Sequence, residues 1–428
     1  MPPETTAAAV AAPEARGAPL GRRFMLFLAV LGPGLITASV DNDAGGITTY
    51  SVAGARYGYD LLWTLIPITL ALIVVQEMSA RMGVITGKGL SDLIRENFGV
   101  KVTFWMSIAL IVANLGNVIA EFAGVAASLQ IFGVPVWASV PATAVAVWLL
   151  VLKGTYRQVE KFFLVASVFY LAYPLTLFFA DPDWGEVGRA LVVPVIRADA
   201  GYIGLLIGMV GTTIAPWMQF YLQAAVVEKG IKPEHYSLSR LDVIAGCFVT
   251  DLVAFAIVVA CAATLHKAGA QVETAGEAAM ALQPLAGKYA SWLFAFGLFN
   301  ASFFAAAILP LSTTYYVCEA FGWESGVDKK YGEAKQFYWL YTLILVVGAA
   351  IVLQPGLPLV PIMLISQIVN GMLLPFILVF MLVLINKQKL MGEHRNGRFF
   401  NAVAWGTTII MIALTIYLVV ASARELLA

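Results

Sequence analysis

Two carboxylates flanking an amide, Asp41-Asn42-Asp43, stand just before a glycine pair, Gly45-Gly46, and the group interrupts an apolar run opened by Gly32-Pro33-Gly34. It lies roughly 20 residues into a stretch long enough to cross a bilayer. A charge at that depth costs at least ~2.5 kcal/mol on insertion scales and by default marks a pathway or a site. Adjacent glycines have no side chains to hold a helix, so the backbone is predicted to unwind at Gly45-Gly46 and bare its carbonyl oxygens, including that of Val40, beside Asp43. A carboxylate beside free carbonyls is the donor set that a hard cation requires.

A second interruption is Gly208-Met209-Val210-Gly211-Thr212-Thr213-Ile214-Ala215-Pro216-Trp217. Pro216 removes a backbone donor and clashes with the preceding turn, which frees carbonyls near Thr212. Membrane helices also tolerate proline kinks and glycine packing, so this segment alone decides little. The two interruptions fall in the first and sixth apolar spans, however. Breaks at matching places in two halves point to a transport site built from inverted repeats. The symmetry is read from span positions, since no residue-level repeat is evident.

The elements that must position these residues are membrane helices. The chain is 60% hydrophobic and 12% charged with a mean hydropathy of +0.84, whereas soluble domains carry roughly 25% charged residues. Apolar runs long enough to span recur along its length, without the alternation of a barrel. The predicted fold is all-α and integral to the membrane, with spans at 24–44 and 46–57 (one interrupted helix), 60–83, 102–130, 135–152, 160–180, 201–228 (interrupted), 240–265, 286–318, 337–354, 358–386 and 400–421. This gives a disordered cytoplasmic N-terminus at 1–20 and a transport core at 21–400, whose halves are 24–180 and 201–388. An eleventh helix lies within 400–428. Phe24 onward reads as a retained helix, because no signal-peptide pattern precedes it. With the N-terminus inside, 20 of the 26 Lys and Arg residues fall on the cytoplasmic side, as the positive-inside rule requires, and the C-terminus is outside.

Composition also excludes. Net charge is zero and no loop is strongly basic, so nucleic acid is not an expected partner. Cys247, Cys261 and Cys318 lack metal or redox spacing and read as packed thiols. His235, His266 and His394 all fall in predicted loops, which leaves no imidazole at membrane depth for Zn²⁺, Fe²⁺ or Cu²⁺. No hydrolase motif or His/Cys constellation is present, so an enzyme is not expected.

The run Gly32-Pro33-Gly34…Asp43-Ala44-Gly45-Gly46, continuing to Leu61-Leu62-Trp63 and Ala80-Arg81-Met82-Gly83-Val84-Ile85-Thr86-Gly87-Lys88, resembles the start of the Nramp divalent-metal transporters. Gly211-Thr212-Thr213-Ile214-Ala215-Pro216 resembles their sixth helix. Ser366-Gln367-Ile368-Val369 with Leu374-Pro375-Phe376 and Leu390-Met391-Gly392 resembles their tenth. The resemblance implies a 5+5 inverted repeat of the LeuT type plus an eleventh helix, working as a single chain. It also implies that Gln367 stands near the metal.

The departures are informative. The family's Asp-Pro-Gly-Asn reads Asp43-Ala44-Gly45-Gly46 here, so Gly46 replaces a metal-binding Asn. Ala215 replaces a Met whose thioether touches the metal, and Trp217 replaces a His. An Asp and a Glu linked to proton movement align with Asn117 and Ala120, although Glu121 is one residue away and a shifted register would restore a carboxylate. This pattern resembles the family's magnesium-transporting branch. Thioether ligands favour soft metals, whereas carboxylate, carbonyl and water suit Mg²⁺ and Mn²⁺. A roomier site of Asp43, Gly46, Thr212, Ala215, Gln367 and Val40 would admit a partly hydrated ion.

Other polar residues carry competing readings. Asp41 either lines the access path or pairs with a polar neighbour. Asn42 replaces the lost Asn or caps a half-helix, and Trp217 narrows the path or fills volume. Gly45 and Pro216 shape the breaks, Asn117 stands at the site of a lost acid, and Asp251 is an acid deep in the seventh span. The expected function is uncoupled import of Mg²⁺ and Mn²⁺ across the cell membrane by alternating access. The cation is cargo, the bilayer is the other partner, and no cofactor is called for. The competing readings are a proton-coupled Mn²⁺ or Fe²⁺ transporter, and a Na⁺-coupled amino-acid symporter whose substrate carboxylate Asp43 would repel.

Overall fold

The computed structural model describes residues 32–154, 156–270, 288–356 and 359–427. The expected disordered N-terminus and residues 24–31 of the first span lie outside them. Every regular element among the described residues is helical. Ten helices there are long and apolar enough to span a membrane: 62–86, 100–130, 136–153, 158–180, 200–228, 233–266, 291–321, 335–352, 361–385 and 398–421. The eleventh expected span is the first. Its two halves, α1 (Pro33–Asp41) and α2 (Ala44–Tyr57), are each too short to cross alone.

The remaining helices follow the predicted order. They are α3 (Leu65–Thr86), α4 (Leu90–Phe98), α5 (Val100–Gln130), α6 (Val136–Lys153), α7 (Tyr156–Val168) with α8 (Ala172–Ala180), and α9 (Trp184–Val192). The second half comprises α10 (Ala200–Thr213), α11 (Pro216–Glu228), α12 (Tyr236–Cys261), α13 (Lys288–Phe321), α14 (Lys335–Val352) and α15 (Leu359–Ile385), followed by α16 (Gln388–Met391) and α17 (Arg398–Leu427).

Packing follows a two-fold relation between the halves. The first span packs on the seventh (α1 and α2 on α12) and the sixth on the second (α11 on α3), while the second and seventh, third and eighth, and fourth and ninth pack on each other. The third on the tenth (α5 on α15) is matched by the eighth on the fifth (α13 on α8). These are the pairings that inverted repeats produce.

Both expected breaks are present, but the first differs in detail. The chain leaves helical geometry at Asn42-Asp43, and Gly45 and Gly46 lie inside the first turn of α2. The glycines are there for close approach. A methyl at Gly46 would meet the Asp41 carbonyl oxygen at 2.6 Å and Thr212 Oγ1 at 2.8 Å, and one at Gly45 would land on the Gln367 amide. At the second break Pro216 occupies the first position of α11 and so starts a half-helix rather than kinking one.

The inner half of the first span is held from α12. Asp242 accepts hydrogen bonds from the backbone N–H of Gly34 at 2.7 Å and from those of Gly32 and Leu35 at 3.2 Å each. These are orphan donors of a helix start, and in an apolar interior each demands a partner. Asp242→Ala is expected to cost about 2 kcal/mol and lower the midpoint of thermal unfolding in detergent, with Asp242→Asn recovering part of the loss.

Candidate metal site

The two breaks meet at membrane depth. Asp43 ends the unwound link and caps α2, its Oδ1 accepting from the Gly46 N–H at 2.6 Å. In a continuous helix the Ala44 N–H would bond the Val40 carbonyl. Instead it donates to Glu121 Oε2 at 3.1 Å, so the Val40 oxygen loses its helical donor. On the facing span, the Thr212 carbonyl would take its donor from position 216, and Pro216 has none. Each break therefore frees a backbone oxygen beside a carboxylate.

Around Asp43 the fold gathers Gly46, Thr212, Gln367 and Glu121. Thr212 Oγ1 is buried without a partner, as is Glu121 Oε1. Glu121 comes to the break beside Asp43, since its Oε2 accepts from the N–H of the next residue, Ala44. Gln367 reaches the group because α10 and α15 touch at glycines. A methyl at Gly211 would strike the Gln367 carbonyl and Gly371, and one at Gly371 would strike the Ile207 carbonyl oxygen. Behind Gln367 runs a chain of amides. Gln367 Nε2 donates to Asn117 Oδ1 at 3.5 Å and Asn370 Nδ2 to the same oxygen at 3.0 Å. Asn117 Nδ2 donates to Asn114 Oδ1 at 3.3 Å, and Asn114 Nδ2 to the Leu309 carbonyl at 2.8 Å. The chain fixes Gln367 against α5 and α13. Asp43, Thr212, Glu121 and Gln367 are all at most 3% exposed, so the site is buried.

Other expected participants are placed differently. Ala215 offers space but no free oxygen, since its carbonyl accepts from the Met218 N–H and from Gln219 Nε2, each at 3.1 Å. Gly46 presents a donor, which Asp43 takes. Asn42 is the C-cap residue of α1, its backbone N–H donating to the Ser39 carbonyl at 3.3 Å. Its Nδ2 is tied to the Thr250 carbonyl at 3.0 Å and the Thr250 hydroxyl at 2.6 Å. Trp217 is buried, with its ring against Tyr221 and its carbonyl accepting from Ser312 at 3.2 Å. Asp41 ends α1, which packs on α12, and its two carboxylate oxygens are buried without a hydrogen-bond partner.

Glu121 is the residue that sequence reasoning underweighted. Aligning from Phe132-Gly133-Val134-Pro135 set the lost acid against Ala120. The structure puts the carboxyl of Glu121, not position 120, at the first break, where it accepts from the Ala44 N–H. The signal was available, because Glu121 is the one acid in a helix of 31 residues and a lone membrane acid faces protein or water.

The site glycines separate folding from binding. Gly45→Ala displaces only the far end of a flexible Gln367 side chain, so we expect the unfolding midpoint to hold while apparent cation affinity falls about tenfold, or ~1.4 kcal/mol. Gly46→Ala pushes into backbone at Asp41, so its midpoint is expected to fall as well. Thermal unfolding and cation titration of both variants check this.

Comparison with known proteins agrees with this fold. Residues 34–421 match the family model described as natural resistance-associated macrophage protein-like. The chain is 31% identical over 435 residues to the divalent metal cation transporter MntH of Deinococcus radiodurans, covering 97% of this chain and 95% of that protein. It is 27% identical over 409 residues to MntH of Yersinia pestis, covering 92% and 95%. Among solved structures, a manganese transporter of Eremococcus coleocola superposes with a TM-score of 0.76 at 20% identity, over 97% of this chain and 90% of that one. The nucleobase-cation-symport-1 transporter Mhp1 superposes with 0.56 at 14% identity, over 92% of each.

Proposed function

The chain belongs to the Nramp family, and on that premise we propose that it is a divalent-cation transporter carrying Mg²⁺, and with it Mn²⁺, into the cell by alternating access. One observation carries this reading: the donors gathered at the paired breaks are all oxygen. They are the Asp43 and Glu121 carboxylates, the freed Val40 and Thr212 carbonyls and the Thr212 hydroxyl, while Gln367 turns its Nε2 toward Gly45 and its Oε1 accepts from Asn370 Nδ2 at 3.3 Å. Ala215 and Gly46 put neither sulfur nor a bulky amide in the way, which suits an ion that keeps part of its water.

The histidines support the same choice, since His235 and His266 lie at the two ends of the 233–266 span, the latter against the Ala55 carbonyl, and His394 lies in a short turn outside the spanning helices. The distribution of basic residues favours a cytoplasmic N-terminus and an extracytoplasmic C-terminus in a plasma or inner membrane. On that orientation a cavity of about 520 Å³ opens on the cytoplasmic side, lined by Asp92, Glu228, Glu319 and Asp328 among others. Carboxylates around such a mouth concentrate cations. A single chain contains the whole site and is taken as the working unit.

Mg²⁺ influx into proteoliposomes under a valinomycin-set potential, read with a Mg²⁺-sensitive dye, tests the substrate. Saturable uptake that Asp43→Ala reduces at least tenfold, about 1.4 kcal/mol or more in transition-state stabilisation, is expected. Robust Mn²⁺ uptake without any Mg²⁺ uptake would sink the magnesium reading.

Energetics favours uncoupled entry. A divalent ion gains about 4.6 kcal/mol per 100 mV, enough for a gradient of about a thousandfold. Glu121 favours a second reading, because a carboxyl at the same break as Asp43 is a group that can exchange a proton as a cation arrives. The two are separable with a pH dye in the lumen. Uncoupled transport is expected to leave lumenal pH unchanged in the wild type. Acidification that accompanies Mg²⁺ uptake and disappears in Glu121→Gln would establish proton coupling instead.

A further inference from the structure

Two further acids lie at and beside the first break. Asp41 is the last residue of α1, and Asp251 lies near the middle of α12, the helix packed along α1. Both are buried, at 2% and 7% exposure, and none of their four carboxylate oxygens has a hydrogen-bond partner. Thr250, the residue before Asp251, donates its hydroxyl to the Ala38 carbonyl and accepts from Asn42 Nδ2 at 2.6 Å, which sets this part of α12 beside the end of α1. The ion pairs found among the described residues all lie elsewhere. Two unpartnered acids thus lie at membrane depth on helices packed against each other, an arrangement that a low-dielectric interior penalises unless a counter-charge is supplied.

Two further features converge there. Asn42, only 1% exposed, is tied by its nitrogen to Thr250, the neighbour of Asp251, which turns Oδ1 away from Thr250 and leaves that oxygen without a partner. The half-helix α1 ends at Asp41, so its last carbonyls present the negative end of a helix dipole, the kind of terminus that coordinates cations in broken transporter helices. A monovalent ion would leave one of the two negative charges uncompensated, whereas a divalent ion balances both.

We propose that Asp41 and Asp251, with Asn42 Oδ1, bind a second divalent cation across the first helix break from Asp43. The inference rests on the reading of the chain as a divalent-cation carrier. It adds a loading station beside the Asp43 site, and two neighbouring stations let an arriving ion ease the release of the one ahead.

Mn²⁺ is the probe, used on the purified full-length chain. Equilibrium binding is expected to give two Mn²⁺ per wild-type chain, one per Asp251→Asn chain, one per Asp43→Ala chain and none in the double variant. A single Mn²⁺ in the wild type that Asp251→Asn retains would overturn the proposal and assign the pair a shared proton instead. A single Mn²⁺ that Asp43→Ala retains and Asp251→Asn loses would uphold this station while sinking the Asp43 reading. Should Asp251→Asn fail to fold, anomalous scattering from Mn²⁺-soaked wild-type crystals decides alone. A peak between Asp41 and Asp251 supports the station, and a peak confined to Asp43 refutes it.

Discussion

Breaking a helix in the middle of a bilayer leaves backbone groups with no water to satisfy them, and this constraint organises the protein. At Asn42-Asp43 the freed donors find carboxylates: the Gly46 N–H goes to Asp43 and the Ala44 N–H to Glu121. The carbonyls of Val40 and Thr212 lose their helical donors, to Glu121 at the first break and to Pro216 at the second. A negative, oxygen-rich pocket follows from that imbalance. The same rule operates at the start of α1, where three backbone N–H groups converge on Asp242.

Holding such a site needs two layers that do not themselves bind. Glycines at positions 45, 46, 211 and 371 let helices approach until a methyl would not fit. Amides from Asn117 and Asn114 then carry the orientation of Gln367 back to α13 through hydrogen bonds that involve no charge. Net charge in the site is therefore confined to carboxylates, and an entering cation supplies their missing partner. The side chains that meet at the two breaks are all buried.

The sequence by itself determined the membrane-spanning architecture, the presence of both breaks and the place of Asp43 at the first of them, because hydropathy, proline and glycine act through local chemistry that any fold must respect. It also located Thr212, since the donor that Pro216 lacks is fixed by helical spacing. What only the tertiary structure decided is which face each residue presents. Glu121 reaches the first break, although alignment alone favoured position 120. Asn42 is spent on Thr250, Asp41 is buried without a partner, and Gly45 and Gly46 serve contact rather than unwinding. A helix advances about 100° per residue, so an error of one position moves a side chain to a different neighbour. That register is set by helices more than 200 residues apart in sequence, and no local pattern records it.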